Sequence, residues 1–376
     1  MRQVKPAMAK RKILVAGASG LVGYGAVRHF AKLPDWEVIA VSRRPPAPVP
    51  GVQFTSIDLL DAERCREVFG QLTDVTHVAY AALSEKPGIF EGWVDRAQME
   101  INRTMLLNLF DPLEAAAKNL QHVSLLQGTK AYGGHTGAVV PVPARERAPR
   151  HPHENFYWLQ EDYLRAKQAG KNWCFTILRP QIVVGEAIGG NLNVIPPLGV
   201  YAALLRKEGS PLYFPGSNTS VFELVDTDLL ARSMEWSATS DSARNEIFNI
   251  TNGDVATWQD LWPVIADAFG MEAGPDRIFS LVQELPNRQS DWAAIVKKYN
   301  LIAPADLKSY LGESIYFADA CFGYRKNGSA PPVRRVSLVS TIKIRQAGFH
   351  DCVDSADMMR KWIHNFQDHR LLPPRQ

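Results

Sequence analysis

Short apolar runs alternate with amphipathic stretches through the first half of the chain. Ile13-Leu14-Val15-Ala16 and Val38-Ile39-Ala40-Val41 are β-rich and apolar, as are 76–80, 122–126 and 175–178. Between them, 21–33, 61–71, 95–119 and 155–170 repeat apolar positions at helical spacing. Strands alternating with helices at this interval predict βαβ units and a parallel sheet covered on both faces. Strands buried on both faces carry little polar alternation, which is what these runs show.

After Pro180 the pattern loosens. A glycine-rich loop is expected over 185–197, a helix over 201–207, strand character at 221–225 and 247–250, and mostly helix over 258–318. A late strand is expected at 337–344 and a terminal helix at 355–368. The division predicted is a main domain over 1–185, with returning segments near 221–257 and 335–346, and a smaller, mostly helical lobe from 186–220 and 258–376. A chain of 376 residues is long enough for two such lobes. No internal repeat is visible, and the proline loops at 45–50 and Pro331-Pro332 are too brief to be linkers.

Composition narrows the partners. The chain is 46% hydrophobic with a formal net charge of +3, so no long-range field favours nucleic acid or an anionic membrane. No apolar run approaches the roughly 20 residues of a membrane span. Cys65, Cys174, Cys321 and Cys352 show neither CxxC spacing nor histidines at zinc-ligand spacing. No metal is expected, and reduced thiols point to a reducing, cytoplasmic compartment. The basic first residues lack the apolar core of a signal peptide; Met1 and Met8 are both candidate starts.

The clearest chemical signal is Gly17-Ala18-Ser19-Gly20-Leu21-Val22-Gly23, placed between a strand and a helix. One glycine permits the tight turn, a second lets a pyrophosphate approach the backbone, and a third lets helix and strand pack closely. The helix then presents free N–H groups and a positive dipole end. The fold expected is a Rossmann-type doubly wound α/β sheet with a mostly helical substrate lobe. Gly17, Ser19, Gly20, Leu21, Val22 and Gly23 form the candidate phosphate site. The second strand ends Ser42-Arg43-Arg44, with no acid for the adenosine ribose. Paired guanidinium groups there suit a 2′-phosphate, so NADP(H) is expected over NAD. Asp58 and Leu59 are placed to contact the adenine, although Asp58 also suits the N-cap of the next helix.

The order of these elements resembles the extended short-chain dehydrogenase/reductases, which usually carry Tyr-x-x-x-Lys on the helix before an Arg-Pro strand. Tyr163 and Lys167 match that pattern literally. Tyr157, followed by Glu161, does not. The active tyrosine belongs near the helix start, at the cleft end of the sheet. Tyr157 leaves room for a full helix and strand before Arg179, whereas Tyr163 is cramped. Tyr163 and Lys167 are therefore read as packing and as a solvated charge.

A closer resemblance covers nearly the whole chain. Asn155-Phe156-Tyr157-Trp158-Leu159-Gln160-Glu161-Asp162 resembles the Asn-Phe-Tyr-Tyr-x-x-Glu-Asp signature of the progesterone 5β-reductase/iridoid synthase-like (PRISE) reductases. Gly128-Thr129-Lys130-Ala131-Tyr132-Gly133-Gly134 is similar to that family's Gly-x-Lys-His-Tyr-x-Gly stretch. Leu178-Arg179-Pro180 and the terminal region with Gly348-Phe349-His350 and Trp362 also agree. The resemblance implies that Lys130 and Tyr157 are the catalytic pair. It extends the cofactor contacts to Ala81, Ala82, Gln127, Pro180, Val183 and Asn191. Ala131, Leu126 and His135 stand where histidine, glutamine and proline are common, which leaves the pocket's shape open.

The activity so implied is NADPH-dependent reduction of the C=C bond of an α,β-unsaturated carbonyl compound. Tyr157 would stabilise the enolate oxygen and Lys130 would assist. The partners implied are a small apolar carbonyl substrate and, as an option, a second copy in a homodimer. Apolar residues at 201–205 with Phe214 would shape the pocket or simply be core, and Tyr132 would face substrate or pack. Two other readings stand beside this one: a nucleotide-sugar epimerase or dehydratase, and a non-catalytic NADP(H)-sensing protein.

Overall fold

Seven parallel strands form the spine of the computed structural model, which describes residues 10–323 and 338–375. They are β1 (Arg11–Ala16), β2 (Trp36–Ser42), β3 (Gln53–Ser56), β4 (His77–Tyr80), β5 (His122–Leu126), β6 (Cys174–Pro180) and β9 (Glu246–Ile250). A separate pair, β7 (Ile182–Val184) and β8 (Leu224–Asp226), precedes β9 in the chain. The spatial order is β3-β2-β1-β4-β5-β6-β9. The order reverses between β1 and β4, and in open parallel sheets the crevice beyond the strand ends at such a point is where ligands bind.

The helices are α1 (Leu21–Phe30), α2 (Ala62–Phe69), α3 (Arg96–Ala116), α4 (Phe156–Gln168), α5 (Ile195–Lys207), α6 (Thr227–Thr239), α7 (Trp258–Ala268), α8 (Leu281–Glu284), α9 (Gln289–Tyr299), α10 (Leu307–Leu311), α11 (Ser314–Phe322), α12 (Ile342–Gln346) and α13 (Ser355–Asp368). Alternate strand residues point to opposite faces. Leu14 and Ala16 of β1 join Phe69, Leu106, Phe110 and Leu164 under α2, α3 and α4. Ile13 and Val15 join Val27, Phe30, Leu229 and Met234 under α1 and α6. A third core holds the second lobe together around Trp258, Trp292, Trp362 and Tyr310. Its buried indoles are satisfied: Trp258 donates to the Cys321 carbonyl at 2.9 Å and Trp262 to the Leu212 carbonyl at 2.8 Å.

Three expectations need correction. The late strand at 337–344 does not form; its first residue, the 335–337 end of the returning segment and Pro331-Pro332 lie outside the described residues, as do Met1 and Met8. Val339 makes an isolated bridge with Ala144, and its N–H donates to Glu223, so this β-rich stretch pairs with a loop. The chain then turns into α12. The glycine-rich loop ends earlier than expected, because Pro196 and Pro197 sit in the first turn of α5, where a missing N–H is harmless. Helix α6, unanticipated, starts where the Asp226 carboxylate accepts the Asp228 N–H at 2.8 Å.

Candidate active site

A cavity of about 420 Å³ opens above the C-terminal ends of β1, β2, β4, β5 and β6. The glycine turn forms one end. Gly17 has φ +81°, and a Cβ there would stand 2.7 Å from the Ala81 backbone. A side chain at Gly23 would meet the Gly17 carbonyl oxygen at 2.1 Å. Gly23 thus lies beneath the turn and lets α1 approach β1. It is absent from the cavity wall, which corrects its placement among the ligand contacts, while Gly17, Ser19, Gly20, Leu21 and Val22 line it. Helix α1 starts at Gly20 with no side-chain cap and no acid in its first turn. By contrast α2, α3, α4, α6 and α13 each begin with an Asp or Asn that accepts a backbone N–H. The cradle is empty of side chain where a pyrophosphate would fit, and the bare N–H groups favour an anion.

Ser42, Arg43, Arg44, Asp58, Leu59, Ala81 and Ala82 continue the wall. The Ser42 hydroxyl donates to the Arg44 carbonyl at 2.6 Å and the Ser56 hydroxyl to the Arg43 carbonyl at 2.9 Å, fixing the backbone beneath both guanidinium groups. Asp58 accepts the Leu60 N–H at 3.0 Å, whereas Asp61 caps α2, so the N-cap reading of Asp58 is corrected. Pro180, Val183 and Asn191 line the far side. Gln127 also reaches the wall, but its amide faces inward. It accepts from Arg179 at 2.9 Å and donates to the Tyr157 carbonyl at 3.2 Å.

The other end is assembled from side chains. Tyr157 is the second residue of α4 and Lys130 belongs to a 3-10 turn, Thr129–Tyr132, after β5. The Lys130 ammonium lies 5.8 Å from the centre of the Tyr157 ring, and both residues line the cavity. Gly128 leaves the phenol room: a Cβ there would be 3.0 Å from its oxygen. Asn155 ties the two segments together. Its side-chain Oδ1 accepts the Tyr157 N–H at 3.0 Å, and its side-chain Nδ2 donates to the Lys130 carbonyl at 3.3 Å. Burial, then the charge of Glu85, pushes the Tyr157 phenol above its ordinary range, which keeps its proton in place. Burial pulls Lys130 down to about 8, against the pull of Glu85.

Glu161, where the literal pattern would have lysine, points inward and pairs with Arg150, Arg165 and Arg179. Tyr163 donates to Asp111 at 2.8 Å and Lys167 pairs with the same carboxylate at 2.6 Å, on the α3 side and away from the cavity. Tyr132 donates to Asn249 and packs under Arg179. Residues 201–205 and Phe214 are core of the second lobe. Sequence reasoning missed Glu85, Trp93 and Phe317. Trp93 and Phe317 face the cavity, and Glu85 stands behind Lys130. Glu85 and Trp93 lie in the loop after β4, and a loop leaving the cleft end of a strand was the available signal.

Residues 13–318 match the PRISE-like Rossmann-fold domain. The chain belongs to that family. Among the relatives of this PRISE-like protein is (S)-8-oxocitronellyl enol synthase of Catharanthus roseus, 31% identical over 97% of this chain and 93% of the relative. The 3-oxo-Delta(4,5)-steroid 5-beta-reductase of Arabidopsis thaliana is 30% identical over 96% of this chain and 92% of its own length. Solved structures share the fold at low identity. UDP-N-acetylglucosamine 4-epimerase from Methanobrevibacter ruminantium superposes with a TM-score of 0.65 at 17% identity, covering 96% of this chain and 99% of its own. UDP-glucose 4-epimerase from Thermus thermophilus, in complex with NAD, gives 0.62 at 18%, covering 95% and 99%. Among the described residues no helix is long and apolar enough to cross a membrane.

Proposed function

We propose that this PRISE-like protein is an NADPH-dependent reductase of the C=C bond in small, apolar α,β-unsaturated ketones and aldehydes. The observation that carries this reading is the meeting of Lys130 and Tyr157, from separate stretches of chain, on one wall of a cavity whose other end is a glycine turn. The turn, with Arg43 and Arg44 beyond it, would hold the dinucleotide and favour a 2′-phosphate. Bound NADPH supplies the hydride.

The chain's own groups then act on the substrate's carbonyl. As the β-carbon takes that hydride, negative charge develops on the carbonyl oxygen, and a proton from solvent at the α-carbon then completes the saturated product. The protonated Tyr157 hydroxyl donates a hydrogen bond to that oxygen. A fixed donor in a dry site is worth far more than in water, roughly 3–4 kcal/mol. The Lys130 ammonium stabilises the same developing charge from beside the tyrosine ring. Trp93, Phe156 and Phe317 line the surrounding wall and exclude water. A cytoplasmic setting and a homodimer belong to the same proposal.

The experiment is the loss of NADPH absorbance with 2-cyclohexen-1-one and larger enones, with NADH run alongside and products identified by mass. The saturated ketone is expected. NADPH that binds but is never oxidised across the panel would overturn the proposal, and new products from UDP-sugars would turn it toward the epimerases.

A further inference from the structure

The Lys130 ammonium sits in a box with one acidic wall. Glu85, from the loop after β4, has a side chain 0% exposed. Its Oε1 accepts the Trp93 indole N–H at 3.0 Å and lies 3.6 Å from Lys130 Nζ. Its Oε2 is buried with no hydrogen-bond partner among the described residues. The same indole carries the ammonium on its face, 4.1 Å from the ring centre. A carboxylate buried with one oxygen unpaired is costly, and among the described residues its polar partners are the Trp93 indole and the Lys130 ammonium. We propose that Glu85, held by Trp93, is the positioning residue that keeps Lys130 charged and aimed along the Tyr157 wall, and so sets the alkaline limit of the reaction. This rests on the reading of Lys130 and Tyr157 as the working pair.

The other groups facing Lys130 do not take this role. Phe156 and Tyr157 of α4 present their rings at 5.6 and 5.8 Å. His135, in the loop beyond Lys130, packs on Trp93, with His153 and His151 behind it. Burial lowers His135 to about 4 and lowers His153 as well, so neither is cationic where Lys130 titrates. Arg179 acts on Tyr157 from behind. Burial alone drives Lys130 toward the neutral amine, and the Glu85 carboxylate opposes that.

Glu85→Gln keeps the shape and removes the charge. The readout is the pH dependence of Lys130 acylation by acetic anhydride, followed on its peptide by mass spectrometry, with and without NADPH. The titration, and with it the alkaline limb of kcat, should move down by roughly 1–3 pH units, while KM for the enone holds. Glu85→Asp should restore most of the shift. Trp93→Phe, which keeps the ring face but loses the N–H, should move it less and in the same direction. If Glu85→Gln does not fold, Trp93→Phe decides. An unmoved Lys130 titration in Glu85→Gln, or in Trp93→Phe where the first does not fold, overturns the role of Glu85. Acylation needs no turnover, so a wild type inactive on every enone would sink the proposed reaction and still leave this one decided.

Discussion

The two ends of the cleft are built by different means. At the proposed dinucleotide end the work is done by backbone: a left-handed glycine, an uncapped helix start, a strand end fixed by two serine hydroxyls. At the proposed catalytic end it is done by side chains from three stretches, Glu85 and Trp93, Lys130, and Tyr157, brought together by α4, the β5 turn and the loop after β4. A backbone site tolerates changes in the side chains around it but not an added methyl group. A side-chain site tolerates small shape changes but not the loss of one functional atom.

That contrast can be broken by substitution. Tyr157→Phe removes one oxygen, and kcat should fall on the order of 100–1000-fold, with the NADPH Kd unchanged by fluorescence titration. Full activity in Tyr157→Phe together with a dead Tyr163→Phe would reverse the assignment. Replacing Arg43 and Arg44 together by serine should cost about 1.5–3 kcal/mol of NADPH binding for each charge-assisted hydrogen bond lost. NADH should be unaffected, so the ratio of the two kcat/KM values reads this directly. Gly23→Ala forces a Cβ against the Gly17 carbonyl oxygen and should destabilise the fold by about 1–3 kcal/mol, seen as a lower Tm. The smallest effect expected is for Tyr163→Phe. It loses the hydrogen bond to Asp111, about 1 kcal/mol of stability, and keeps its activity.

The backbone end was legible in the chain because its signals are local. Gly17, Gly20 and Gly23 lie within one turn, next to the strand and helix they join, and Ser42-Arg43-Arg44 ends the next strand. The catalytic end was legible only in part. Lys130 and Tyr157 emerged from a family resemblance, since no spacing rule links residues on different elements. Glu85 lies in a loop without periodicity and Trp93 in the short 3-10 turn Glu91–Val94 that follows, and their value comes from burial against Lys130. Helix α6 was overlooked although Asp226 and Asp228 mark its start, and the β-rich stretch ending near Ile344 misled because strand propensity does not supply a sheet edge to pair with.

Asn155 has a consequence for how such a protein can vary. By gripping the peptide groups of both Lys130 and Tyr157, it couples the two ends of the long excursion between them. A variant that lost this one amide would keep both functional atoms and let phenol and ammonium drift out of step.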